Sequence, residues 1–263
     1  MGWENAKELT KKAENWENFI KNDCPAETMD AQLNSIIYTP DFRENTTKIR
    51  VVQDTSQNAI FKIKTEGKMA VLNFASYKKP GGGYINGAMA QEEALCHCSN
   101  LYQVLSYDKL QKEFYEYNNE HLNKGLYDSR IIYSPDIVFY RDNTDLDNIN
   151  KDIDTRKCNV ITCAAPNKNA AQNYQHIPDY AINHIMKDRI LSILNVAKHQ
   201  HIEILILGAF GCGVFGNDIT ITAKIFKECL TKYQYYRNIF TVVAFAIPDD
   251  TTYNIFKDIL GNL

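Results

Sequence analysis

Two adjacent carboxylic acids, Glu92 and Glu93, follow three consecutive glycines, Gly81, Gly82 and Gly83, after a short spacer, Tyr84–Ala90. Glycine loses more backbone freedom on ordering than any other residue, so three in a row make poor helix and poor strand. They suit a place where backbone approaches a ligand closely or takes positive φ. Exposed N–H groups there, near a helix start, attract phosphate or ribose oxygens. Adjacent residues on a helix point about 100° apart. One glutamate can therefore face a ligand while the other holds a second part of it. A carboxyl in an apolar, phosphate-rich pocket is expected to keep its proton to higher pH and to serve as a general acid. The plain alternative is an exposed turn before an ordinary helix, since acids favour a first helical turn anyway.

A second stretch has similar chemistry. Gly208, Gly211, Gly213 and Gly216 alternate with Ala209, Phe210, Cys212, Val214 and Phe215, and Asp218 follows. Strand, glycine loop and helix together present N–H groups to a diphosphate. No Gly-Lys-Ser/Thr is present, so this is not a Walker loop. Phe215 suits either a ribose or adenine face or a core position that closes the loop. Cys96-His97-Cys98 invites a metal reading, but residues two apart on a helix diverge and no second ligand pair completes a tetrahedron. No metal and no cofactor are expected.

The elements that position these loops follow from apolar spacing. Met69–Ala75 reads as a buried strand ending just before the first loop, and a helix is predicted from Gln91 to about Leu105. Trp3–Lys21 carries an amphipathic pattern, and a second helical piece is expected over Ala26–Tyr38. Strands are predicted at Lys48–Gln53, Ile131–Tyr133, Ile137–Tyr140, Lys157–Ala165, Ile202–Gly208 and Phe240–Ala246. Helices are predicted at Ser56–Glu66, Lys109–Asn123, Pro178–His199, after Asp218 and at Thr251–Leu260. Asp142–Asp154 reads as an acidic loop. The alternation implies an α/β fold, a mainly parallel sheet with helices on both faces, and both glycine loops then fall at the carboxyl ends of strands.

Composition sets bounds. With 263 residues, 44% of them hydrophobic, the chain has ample core material, and without a linker it reads as a single domain, 1–263. A net charge of −3 implies no basic surface for duplex nucleic acid. No apolar run reaches the roughly 18 residues of a membrane span, and no signal peptide is read at Met1-Gly2-Trp3-Glu4. Seven scattered cysteines suit reduced thiols in the cytoplasm.

The triple glycine, spacer and Gln91-Glu92-Glu93 resemble the signature of poly(ADP-ribose) glycohydrolases. The flanks Asn73-Phe74-Ala75-Ser76 and Ala94–Tyr102 resemble the microbial type of that family. Tyr133–Asp142, Cys163–Asn167 and Gly208–Asp218 fit it in the expected order, so the likeness runs from about Val51 to Ala246. It implies a macrodomain-like three-layer α/β/α sandwich over 47–263, with 1–46 as a helical extension. It further implies hydrolysis of the ribose–ribose bonds of poly(ADP-ribose), releasing ADP-ribose. Glu93 would be the general acid and base, and Glu92 would bind ribose hydroxyls. Gln91 would support the loop. Gly81–Gly83 would approach ribose and diphosphate, and Gly211, Cys212, Gly213, Val214 and Phe215 would hold the diphosphate. Asn73 and Ser76 are further candidates for ribose contact. Asp54 would accept from the adenine amino group or cap the following helix. Expected partners are poly(ADP-ribose) or ADP-ribosylated protein. The rival readings are a non-cleaving ADP-ribose reader and a hydrolase of mono-ADP-ribosylated protein or nucleic acid.

Overall fold

The apolar runs pair into one sheet. The structure, a computed structural model, describes residues 27–30, 47–141, 154–232 and 238–263. The helix predicted at Trp3–Lys21 lies outside them, as do residues 142–153 of the acidic loop and most of the expected helical extension. Among the described residues seven strands form the sheet: β1 (Glu27–Asp30), β2 (Lys48–Val52), β3 (Met69–Phe74), β4 (Arg130–Tyr140), β5 (Thr155–Cys163), β6 (Ile204–Leu207) and β7 (Val242–Ala246). Their order is β1-β4-β5-β3-β6-β7-β2. From β5 to β2 every neighbour is parallel, whereas β4 and β1 are added antiparallel at one edge.

The strands are apolar on both sides because both sheet faces are covered. Met69 and Val71 of β3 enter one core with Ile60, Leu95 and Phe114. Ala70 and Leu72 enter the other with Ile190, Phe226 and Phe256. The first face carries α1 (Ser56–Lys62), α2 (Gln91–His97) and α3 (Leu101–Leu105). It also carries α4 (Asp108–Leu110), which runs through a π-helical segment, Gln111–Glu116, into α5 (Tyr117–Glu120). After β5 comes α6 (Lys168–Gln175), which leads to the opposite face and its helices α7 (Asp179–His199), α8 (Ile219–Lys232) and α9 (Asp250–Leu260). This is the three-layer α/β/α arrangement expected.

Three local expectations are corrected. Glu27–Asp30, placed in the helical piece Ala26–Tyr38, is a strand that pairs with β4, Glu27 opposite Tyr133; pairing to a free sheet edge overrides local helical spacing. The helix from Gln91 stops at His97 and restarts at Leu101. Buried Ser99 returns its hydroxyl to the Leu95 carbonyl (2.7 Å), and Asn100 accepts from the Val138 N–H of β4 (2.9 Å). These bonds compete with the helical ladder and end it. The two strands expected around Pro135 are one, β4, with a register shift between Ser134 and Ile137. Pro135 has no N–H to donate, so a bulge absorbs it.

Candidate active site

β3 ends at Phe74, and Gln91, the first residue of α2, fastens the helix to that end. Its side chain accepts from the Phe74 N–H (2.8 Å) and donates to the Leu72 carbonyl (2.8 Å) and the Ser56 hydroxyl (3.2 Å). Gln91 was expected to support the glycine loop. Its bonds instead go to the strand end and α1, and they set where the two glutamates behind it must stand.

Both glutamates turn inward. Glu92 is 3% exposed and Glu93 8%. The Glu92 carboxyl accepts from the Ser76 N–H (2.6 Å), from the Asn73 amide (3.2 Å) and from the Gly81 N–H. Asn73, fully buried, also donates to the Thr162 hydroxyl on β5 (3.2 Å). Burial pushes the Glu92 carboxyl up to about 8, against the pull of its Ser76 and Asn73 bonds. Oε1 of Glu93 accepts from the Gly83 N–H (2.7 Å). Its Oε2 is buried with no partner among the described residues.

Gly82 is required by these carboxyls, whereas Gly81 is crowded by Tyr102 and Gly83 by Ala88. Gly81 and Gly82 have φ of +61° and +55°. A Cβ on Gly82 would stand 2.4 Å from Glu93 Oε1 and 3.1 Å from Glu92 Oε2. The loop N–H groups are also occupied internally: Gly81 and Gly83 donate to the two glutamates, and Gly82 donates to the Lys79 carbonyl (3.3 Å). Expected as a phosphate cradle, the triple glycine is instead a sleeve around two carboxyls.

The second loop differs. Turn bonds inside it use the N–H groups of Phe210, Cys212, Gly216 and Asn217, not those of Gly213, Val214 or Phe215. A Cβ on Gly213 would meet nothing within 4 Å, and Val214 is 85% exposed. The loop is braced from outside. Asn169 at the start of α6 donates its backbone N–H to the Phe215 carbonyl (3.1 Å) and its side chain to the Val214 carbonyl (3.0 Å). Asn217 donates to the carbonyls of Pro166 and Gly211, both at 2.9 Å. Cys212 is partly buried, and burial raises its thiol to about 11, leaving it protonated at neutral pH. Phe215 packs against both cores.

Aromatic side chains not singled out in the sequence bridge the two loops. Tyr77, just after Ser76, stacks on Tyr127 with ring centroids 3.9 Å apart, and Tyr127 lies 6.3 Å from the Phe215 ring. Tyr127 also bonds to Asn167 after β5, and burial raises its phenol well above its ordinary range. No sequence spacing announces this contact, since three separate segments supply it. Cys96 and Cys98 are buried, and the intervening His97 ring packs on Tyr84 (4.7 Å) with Nε2 3.1 Å from the Ala88 carbonyl oxygen.

Asp54 stands apart. It follows β2, three strand spacings from β3, or about 14 Å. The cap of α1 is Thr55, whose hydroxyl accepts from the Asn58 N–H (3.3 Å). Asp54 instead accepts from the Thr55 N–H (2.9 Å), the Asn58 amide (3.0 Å) and Lys62 (2.5 Å). Partial burial pushes its carboxyl up, but Lys62, Asn58 and the Thr55 amide together outweigh this and hold it below the usual range.

The segments that follow β3, β5 and β6 thus meet at the strands' carboxyl ends, joined through Tyr77, Tyr127, Asn167 and Phe215, with two buried acids after β3 and a glycine loop with unused N–H groups after β6. The family model described as "Microbial-type PARG, catalytic domain" matches residues 9–142, half of the chain. The chain is similar to the poly(ADP-ribose) glycohydrolase of Thermomonospora curvata: 26% identity, 97% of this chain and 89% of that one covered, TM-score 0.77. It is similar to a point mutant of the Deinococcus radiodurans glycohydrolase in complex with ADP-ribose, at 31% identity over 82% of this chain and 85% of that one, TM-score 0.72. Another ADP-ribose complex from D. radiodurans gives 27% identity over 100% and 93%, TM-score 0.73. No curated protein matches. The sequence match runs through the glycine and glutamate signature and the structural matches span the sheet that carries both loops, and the chain therefore belongs to the microbial-type poly(ADP-ribose) glycohydrolase family.

Proposed function

We propose that this chain hydrolyses the ribose–ribose O-glycosidic bonds of poly(ADP-ribose) and releases ADP-ribose. Membership of a glycohydrolase family supports the activity, and so do similar structures that hold ADP-ribose. The observation that carries the mechanism is Glu93: nearly buried, anchored through one oxygen to the Gly83 N–H, its other oxygen unpartnered.

In this reading Glu93 gives its proton to the departing ribose oxygen as the C1–O bond breaks. C1 of the retained unit develops oxocarbenium character. Water adds to C1, and its proton returns to Glu93, which restores the acid. One carboxyl serves both steps, unlike the usual glycosidase pair. Glu92, held from within by Ser76, Asn73 and Gly81, faces ribose hydroxyls and aligns the sugar. Asn73 and Ser76 then act through Glu92. Gly211–Phe215 hold the diphosphate on the free N–H groups of the second loop, with Phe215 against the nucleoside. Asp54 lies far enough along the strand ends to meet the adenine. Polymer or ADP-ribosylated protein is the substrate, the whole chain acts as one catalytic unit, and its cysteines suit a cytoplasmic setting. No helix of the described residues is long and apolar enough to cross a membrane.

The test is Glu93→Gln, which keeps the shape and removes the proton. ADP-ribose affinity is expected to stay within about twofold while release of ADP-ribose from labelled polymer falls at least about a hundredfold, the range of a lost general acid. Near-normal turnover would sink the assignment. If the unmutated chain binds ADP-ribose but leaves polymer intact, a reader is the better description. If it cleaves mono-modified substrate alone, the polymer assignment fails.

A further inference from the structure

We propose that the outer face of residues 78–90 is a second nucleotide subsite, which takes the ADP-ribose unit on the departing side of the bond to be cut. It rests on the polymer reading above. The segment 84–90 runs from Gly83, whose N–H holds Glu93, to Gln91 at the start of α2, so it borders the acid that cuts the bond.

That segment carries an unusual surface. Ile85 is 56% exposed and Met89 40%. Just before the glycines, Lys78 and Lys79 are both exposed, and neither pairs with an acid among the described residues. A single exposed apolar residue is ordinary. Here two occur within five positions of a segment that is held rigid. The N–H groups of Tyr84, Asn86, Gly87 and Ala88 all close turns onto Gly81, Gly83 or Tyr84 at 2.9–3.2 Å. Tyr84 is buried beneath, its ring against Tyr102 (4.5 Å) and His97 (4.7 Å). At the other end, the Lys78 carbonyl accepts from Asn119 (3.1 Å). A floor this well buried has no packing need for apolar side chains on its outer side.

Every repeat of the polymer carries a diphosphate and an adenine. Paired ammonium groups meet the first as compact charges, and a fixed apolar ledge meets the second, since covering Ile85 and Met89 with a flat base removes apolar surface from water. The chain is acidic overall, at −3, so two adjacent exposed lysines directly before the glycine run also steer a polyanion toward it. The subsite adds polymer affinity and leaves the binding of free ADP-ribose untouched.

The measurement is binding of poly(ADP-ribose) of one fixed length, and of ADP-ribose, to the Glu93→Gln chain by calorimetry at two salt concentrations. Polymer is expected to bind at least about tenfold tighter than ADP-ribose, about 1.4 kcal/mol. The pairs Lys78→Ala with Lys79→Ala, and Ile85→Ser with Met89→Ser, should each remove most of that excess, with ADP-ribose affinity within about twofold. The lysine pair should also flatten the salt dependence of polymer binding. Equal affinity for polymer and ADP-ribose, or variants that weaken both ligands in step, overturns the subsite. Tight polymer binding by a wild-type chain that cannot cleave it would overturn the catalytic reading and leave the subsite standing.

Discussion

At the scale of single residues, the triple glycine and the two glutamates form one device. A Cβ on Gly82 would meet Glu93 Oε1 at 2.4 Å in a left-handed backbone, so Gly82→Ala combines a clash with strain. The strain costs about 1–2 kcal/mol, seen as a lower urea midpoint. Activity should fall more than stability, because relief of the clash moves the carboxyl; a variant with lower stability and normal kcat/KM would show that the glycine serves the fold alone. Glu92 makes a pH prediction. Its carboxyl ordinarily loses its proton near 4.5 but is held until about 8 in the folded chain. Between those values the unfolded chain has released the proton and the folded chain has not. Stability from this group is therefore greatest below pH 4.5 and declines as pH rises to about 8, with a slope of up to roughly 1.4 kcal/mol per pH unit. Glu92→Gln should remove that decline, measured by urea denaturation across pH 5–8; an unchanged slope would place the proton elsewhere. The residue types of this device stood in the sequence. Which atoms they touch did not, because the N–H groups expected to face a ligand face the glutamates.

At the scale of elements, long apolar runs placed most strands and helices well. The failures occur where a side chain competes with the backbone ladder or where a distant strand decides. Ser99 and Asn100 break the signature helix by bonding Leu95 and Val138, and only the position of β4 makes the second bond available. Arg189 of α7 went unnoticed for the same reason. It is 1% exposed, and its guanidinium donates to the Ala164 carbonyl after β5 and the Leu126 carbonyl (3.0 Å) beside Tyr127. It joins the segments that carry Asn167 and Tyr127. Arg189→Met leaves two buried carbonyls without their donor and should destabilise by about 2–4 kcal/mol in urea unfolding. Arg189→Lys should recover little, since an ammonium lacks the planar fork that spans both carbonyls. Wild-type stability in the methionine variant would mean that the guanidinium joins nothing of consequence.

At the scale of the whole molecule, the sheet order β1-β4-β5-β3-β6-β7-β2 sets which loops become neighbours. It puts β3 between β5 and β6, so the loops after all three meet, and it sends β2 with Asp54 to the far edge. The sequence alone determined the α/β class, the strand-to-helix position of both glycine loops and the place of Glu92 and Glu93 on the first turn of the helix that follows, because periodicity and glycine runs are local properties of the backbone. The tertiary structure alone decided that both acids are buried, that Tyr77, Tyr127 and Phe215 join the two glycine loops, and that Ile85 and Met89 face outward from a fixed floor. Burial and contact depend on which strands become neighbours, and that is settled by packing two apolar faces at once rather than by any short stretch of chain.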